Sequence, residues 1–330
     1  MAIPFFIATY TAPNGSQGIY KSTLDLETGA LSQPILAAAT PNPSYLAISP
    51  DRRWIACVNE QNPGQMTLFS LSPEDELHDP RVLPLQGKGP CFLQFLPDSQ
   101  SLLAASYGSG DFECVSLAGK PLWGWNNVQA GQSPPHAHCL QPLPNSPFAV
   151  GTDLGRDLVL TFRDGRPVQA HVLAAGSPRH FAFDPTGKRL YVGSEHGNSV
   201  TTLEIDRESA AMTETQTLST LPMDFQGNNT TAEVLLHPSG KWLYVSNRGH
   251  DSIACFSRLP NGVLAKPSIA TIAAKTPRGM AIDPSGRYLL VAGQENGIVT
   301  SLKIDGSTGL PSPTGFEIKL SKPVHMLFLD

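Results

Sequence analysis

No apolar run in the 330 residues approaches the roughly 18 needed to span a membrane. Strand-like sequence begins within a few residues of Met1, leaving no room for a signal peptide, so a cytoplasmic protein without a membrane partner is expected. Cysteine is scarce. Cys57, Cys91, Cys114, Cys139 and Cys255 are odd in number, scattered and without CxxC spacing, which argues against a disulfide framework and predicts reduced thiols. Neither charge dominates: the net value of −5 leaves no basic footprint for nucleic acid. The chain also lacks a GxSxG elbow, a phosphate-binding Walker loop, a dinucleotide fingerprint and HExxH, so no cofactor is expected. No 12-residue stretch carries a 3.6-residue apolar period, so helices should be rare.

What the chain does have is a repeat. A short apolar run, a Pro-centred turn and a second apolar run ending on polar residues recur around Pro50, Pro97, Pro144, Pro185, Pro238 and Pro284, at spacings of 47, 47, 41, 53 and 46. Gly and Pro fall mostly in the turns between these runs rather than in a low-complexity tract. The last residues, Val324 to Asp330, read as the first half of a unit that stops at its turn, whereas Phe5 to Tyr10 read as a second half. A unit divided in this way closes a ring, and 330 residues over seven units is about 47 each. The expectation is an all-β protein, a single domain over residues 1–330. It would be a seven-bladed β-propeller of four-stranded antiparallel blades, closed by N-terminal strands pairing with the C-terminal strand. The blades would be 44–76, 91–117, 138–166, 179–209, 232–262, 278–310, and 324–330 with 1–29, each followed by an outer strand.

Antiparallel strands on either side of each Pro turn bring a residue six before it and one about ten after it to the same end of the hairpin. The first set is Ser44, Cys91, His138, Arg179, Ala232, Arg278 and Val324, followed in sequence by Tyr45, Phe92, Cys139, His180, Glu233, Gly279 and His325. The second is Glu60, Tyr107, Leu154, Glu195, Arg248, Gln294 and Tyr10, preceded by Asn59, Ser106, Asp153, Ser194, Asn247, Gly293 and Thr9. Strand ends are often polar merely because they are solvated or tie blades together. Here residues far apart in sequence converge on one mouth, which favours a binding or catalytic site. By strict alternation His180 and His325 point away from it and are assigned to structure.

Several of these segments carry a family resemblance. Ser133-Pro134-Pro135-His136-Ala137-His138, Gly176 to His180, Tyr191 to Glu195, Ala232-Glu233-Val234, Ser246 to Ile253 and Thr276 to Gly279 resemble the lactonase family of seven-bladed propellers. That family includes propeller-type 6-phosphogluconolactonases and fungal 3-carboxy-cis,cis-muconate cyclases. The resemblance covers essentially the whole chain. It implies a catalytic set of His138, Arg179, Glu195 and Arg248 on one mouth, at positions that strand geometry reaches independently. Two departures, Ser194 and the Ser106-Tyr107 pair, bear on pocket size and substrate preference.

The resemblance therefore implies hydrolysis of a sugar lactone, 6-phosphoglucono-1,5-lactone to 6-phosphogluconate, in the pentose phosphate pathway. Water would be activated by Glu195 or His138, between which the residues do not choose, with arginines polarising the carbonyl and holding an anionic group. Asn59, Asp153, Glu233, Asn247, Arg278 and Gln294 are expected to orient the substrate. A ring mixing Glu with three Arg repels a dication, so no metal is expected. The partner is a small anionic lactone, and the chain is expected to be a monomer or weak homodimer. Two alternatives remain at this point: a cyclase closing a carboxylated muconate with the same anion clamp, and a binding or scaffold propeller without activity.

Overall fold

Residues 1–329 are described by the computed structural model; Asp330, which the repeat assigns to the turn of the split unit, lies outside them. Seven sheets of four antiparallel strands make up the chain. Blades one to six begin on Leu46–Ile48, Pro90–Phe95, Ala137–Pro142, Pro178–Phe183, Thr230–Leu236 and Pro277–Ile282. Blade seven begins on Pro323–Phe328 and is completed by Ala2–Thr9, Gly18–Asp25 and Ile35–Ala39. These first strands touch one another in succession until the series returns on itself, lining a central channel. The split blade closes the ring through pairs such as Phe5 with Phe328 and Ile7 with Met326. Among the described residues the only helical turn is the 3-10 segment Leu154–Arg156. No helix among the described residues is long and apolar enough to cross a membrane.

The turns follow from their residues. In Asp184-Pro185-Thr186-Gly187, Gly187 takes φ +66° and its N–H donates to the Asp184 carbonyl at 2.9 Å. Oδ1 of Asp184 then accepts the N–H groups of Lys188 and Arg189, closing the hairpin with its own side chain. Burial reports position within each blade. Second strands such as Trp54–Asn59 are almost wholly buried, whereas the outer strand Met212–Ser219 alternates half-buried and exposed. Aromatic clusters fill the seams between blades. Phe112 and Phe162 lie 5.1 Å apart between blades two and three, with Trp125 5.4 Å from Phe162. Burying one such side chain contributes about 1.5–3 kcal/mol.

One feature of the inner strands decides the site. In blades two to seven the pairing of first and second strands slips by one residue near the mouth. In blade four Pro178 faces Ser194 and Phe181 faces Val192, so Arg179 and His180 together oppose Gly193. In blade five Ala232 and Glu233 together oppose Ser246. Such bulges bend the strand and re-aim side chains. Space is tight there: a Cβ on Gly279 would collide with the carbonyl oxygen of Val324 on the neighbouring blade.

Candidate active site

Glu195 follows the second strand of blade four and is pinned by its backbone, its N–H donating to Ser177 at 2.8 Å and its carbonyl accepting from Thr231 at 2.9 Å. Its carboxylate lies between two guanidiniums. Oε2 is 2.9 Å from Nε of Arg179, and Oε1 is 3.0 Å from Nη2 of Arg248. Each arginine also donates to blade five, Arg179 to the Ala232 carbonyl at 2.8 Å and Arg248 to the Thr231 carbonyl at 2.9 Å. Burial pushes the Glu195 carboxyl upward, but the fields of Arg179 and Arg248 outweigh it and hold the group below the usual carboxylate range. Glu195 is therefore a fixed anion with low proton affinity. Burial and the neighbouring Arg179 bring Arg248 down to about 10, which leaves it charged at neutral pH.

His138 stands on the next blade, buried, with Nδ1 lacking a hydrogen-bond partner. Its ring meets the edges of Tyr107 at 5.8 Å and His180 at 5.0 Å. Burial, then Arg179, His180 and Arg278, hold it well below the usual imidazole range, so it is neutral. Across the mouth the Arg278 guanidinium lies 5.4 Å from the centre of the Tyr10 ring, and it has no ion pair among the described residues. Tyr10 and Ser44 both donate to Oε2 of Glu60, at 2.8 and 2.5 Å. Tyr107 is stacked on His136 at 4.3 Å and remains exposed at the rim. A cavity of about 540 Å³ beside the mouth is lined by His196, Asn229, Thr230, Arg248, Gly249 and Thr276.

His138, Arg179, Glu195, Arg248 and Arg278 are thus brought together. Three other residues expected to orient the substrate are not available to it. Asn59 donates to Thr40 Oγ1 and the Pro41 carbonyl while accepting from Thr67. Asp153 accepts from the His136 N–H and from Asn127. Asn247 is occupied by Thr220, Asn229 and Ser252. All three are at most 1% exposed. One place before the strand end, the side chain turns into the sheet and staples a loop instead of meeting the mouth.

Glu233 lies one layer deeper in the channel, its Oε1 2.8 Å from Nδ1 of His180. Gln294 is half-buried beside Thr276, to which its backbone N–H donates. The assignment of His180 and His325 away from the channel needs correction. The bulges turn both inward, where His325 stacks on Tyr45 at 3.9 Å and His180 meets Tyr45 and Phe92 edge-on. Sequence positions had included Tyr10, Glu60 and Tyr107 in the ring without giving them a role. The Tyr10–Glu60 hydrogen bond and the Tyr107–His136 stack are what tie them to it.

The sequence model described as "Lactonase, 7-bladed beta-propeller" matches residues 4–328. The chain is 30% identical to the 6-phosphogluconolactonase of Bacillus subtilis, over 98% of this chain and 97% of that protein. Among solved structures, a Lactobacillus plantarum protein superposes with a TM-score of 0.90 at 26% identity, covering all of both chains. The periplasmic gluconolactonase PpgL of Pseudomonas aeruginosa also reaches 0.90 at 24% identity, over 100% of this chain and 99% of that one, a likeness of fold.

Proposed function

This chain belongs to the lactonase family of seven-bladed β-propellers, and from that premise we propose that it hydrolyses 6-phosphoglucono-1,5-lactone to 6-phosphogluconate at the mouth carrying His138, Arg179, Glu195, Arg248 and Arg278. One observation carries the reading. A neutral histidine faces, across the mouth, a guanidinium, Arg278, that has no carboxylate ion pair among the described residues.

His138 is the base in this scheme. Both oxygens of Glu195 are taken by arginines that hold it ionised, so its part is to fix their guanidiniums. Nε2 of His138 accepts a proton from water as the water oxygen bonds to the lactone carbonyl carbon. Arg278 stabilises the oxyanion, and the imidazolium returns the proton to the ring oxygen as the carbon–oxygen bond breaks. Arg248, facing the cavity shared with His196 and Asn229, holds the phosphate. Three guanidiniums against Glu195 and Glu60 leave the mouth with one positive charge in excess, suited to an anionic substrate. Phosphate binding offsets the field that depresses His138 and so raises its basicity during turnover. Sugar δ-lactones open readily in water, so acid–base help of about 10²–10⁴ is adequate.

The five buried, unpaired cysteines fit a reducing compartment, and we place the reaction in the cytoplasm. Rates of lactone opening with purified protein test the reading. Turnover of the phosphorylated lactone above the spontaneous rate is expected. Activity confined to a carboxylated muconate, or none on any lactone, would overturn it.

A further inference from the structure

Beneath the mouth the channel holds a second polar layer that the proposed hydrolysis does not use. Nδ1 of His180 is 2.8 Å from Oε1 of Glu233, and both side chains are almost fully buried, 5% and 6% exposed. Burial pushes the Glu233 carboxyl up, but His180, His325 and Arg179 together hold it below the usual range, so it is ionised. Among the described residues the side-chain hydrogen bond of Glu233 is to His180 and not to His325. Nδ1 of His325 accepts the Leu46 N–H at 3.3 Å, and burial takes the group down to about 4. An ionised Glu233 therefore requires the proton of His180 on Nδ1, which leaves Nε2 as an acceptor.

That Nε2 is buried and has no partner, and the same is true of Nδ1 on His138. The two rings lie 5.0 Å apart, at 75° to each other. Each of these two polar atoms on adjacent rings is costly to leave unpaired. A cavity of about 310 Å³ on this layer is lined by Tyr45, Phe92, Gln94, Gln141, His180 and Glu233.

We propose that Glu233 and His180 form a relay that fixes the proton of His138 on Nδ1, so that Nε2 is the free acceptor facing the substrate. The proposal rests on the lactonase reading of the mouth. In the relay, Glu233 accepts from Nδ1–H of His180, Nε2 of His180 accepts from one solvent molecule that the relay places between the two rings, and that oxygen accepts from Nδ1–H of His138. No proton leaves the chain during turnover, because the one taken by Nε2 of His138 is returned to the lactone ring oxygen. His180 and Glu233 are thus positioning residues, acting through His138. The other groups facing His138 are Tyr107 of blade two, Arg179 of blade four, Arg278 of blade six and its own backbone carbonyl, which raises its proton affinity. Through the relay, Glu233 is the anion set against the field of Arg179 and Arg278.

The test uses Glu233→Gln and the double variant His180→Phe/Glu233→Leu, which removes both partners and leaves no unpaired buried charge. Both are expected to lose about 10²-fold in kcat with KM little changed. The acid limb of the kcat profile should move to lower pH, because a histidine deprived of its anion deprotonates more readily. Nitrogen-15 NMR of the resting wild-type protein should place the His138 proton on Nδ1. Wild-type kcat and an unmoved acid limb in both variants would overturn the relay, as would a resting proton on Nε2. If the wild type opens no lactone, the reading of the mouth falls, while the NMR result still decides the relay.

Discussion

Arg278 lies over the face of Tyr10, 5.4 Å from the ring centre, while the phenol of Tyr10 is hydrogen-bonded to Glu60. The tyrosine thus holds the guanidinium in place through its ring and keeps the nearest carboxylate occupied. Arg278 remains charged: burial opposes this, but Tyr10 and Glu60 outweigh it.

Arg278→Ala should therefore cost activity and little stability. Loss of an oxyanion partner is worth about 10²–10³ in kcat, whereas the lost ring contact is worth about 0.5–1 kcal/mol of stability. Steady-state kinetics alongside urea unfolding separate the two effects. Arg278→Lys should recover only part of the rate, because an ammonium lacks the planar fork.

Glu195→Gln leaves Arg179 and Arg248 facing each other without a counter-charge. Breaking a buried pair costs about 3–5 kcal/mol, and partial exposure of Glu195 places this case at the low end. The folded carboxyl sits below its ordinary 4.5, so its contribution is complete above that pH and fades as pH falls through the folded value. Urea midpoints should accordingly differ most between wild type and variant at pH 7 and converge as the solution is acidified below 4.5.

Arg248→Ala should discriminate between substrates. A charge-assisted contact contributes about 1.5–3 kcal/mol, or roughly 10–100-fold in kcat/KM. That loss is expected for the phosphorylated lactone, with a much smaller one for gluconolactone itself. Equal losses on both would remove Arg248 from the phosphate.

Asn247→Ala tests the reassignment of the stapling residues. It removes the acceptor of Thr220 Oγ1 and the amide that donates to the Thr220 carbonyl and to Ser252 Oγ, leaving Thr220 Oγ1 only the Asn198 carbonyl and Ser252 Oγ only His250 in a fully buried setting, at a cost of about 1–3 kcal/mol. Thermal unfolding should fall accordingly while KM stays near the wild-type value.

The ring of blades and the convergence of His138, Arg179, Glu195, Arg248 and Arg278 were legible because the Pro turns repeat. Counting from each turn fixes where its strands end, whatever lies between. The direction of the side chains was less legible. A bulge adds one residue without any compositional mark, so alternation placed His180 and His325 outside the channel, although the slip in strand pairing turns them in. Asn59, Asp153 and Asn247 misled for a related reason. A polar residue next to a strand end looks the same in sequence whether it faces a ligand or caps a neighbouring loop, and only the loop's own path decides between them.

The most direct test is a crystal structure with 6-phosphogluconate bound. Its phosphate should lie against Arg248 in the cavity with His196 and Asn229, and its new carboxylate between His138 and Arg278. Product bound outside this mouth, or within it but touching neither His138 nor Arg278, would contradict the assignment.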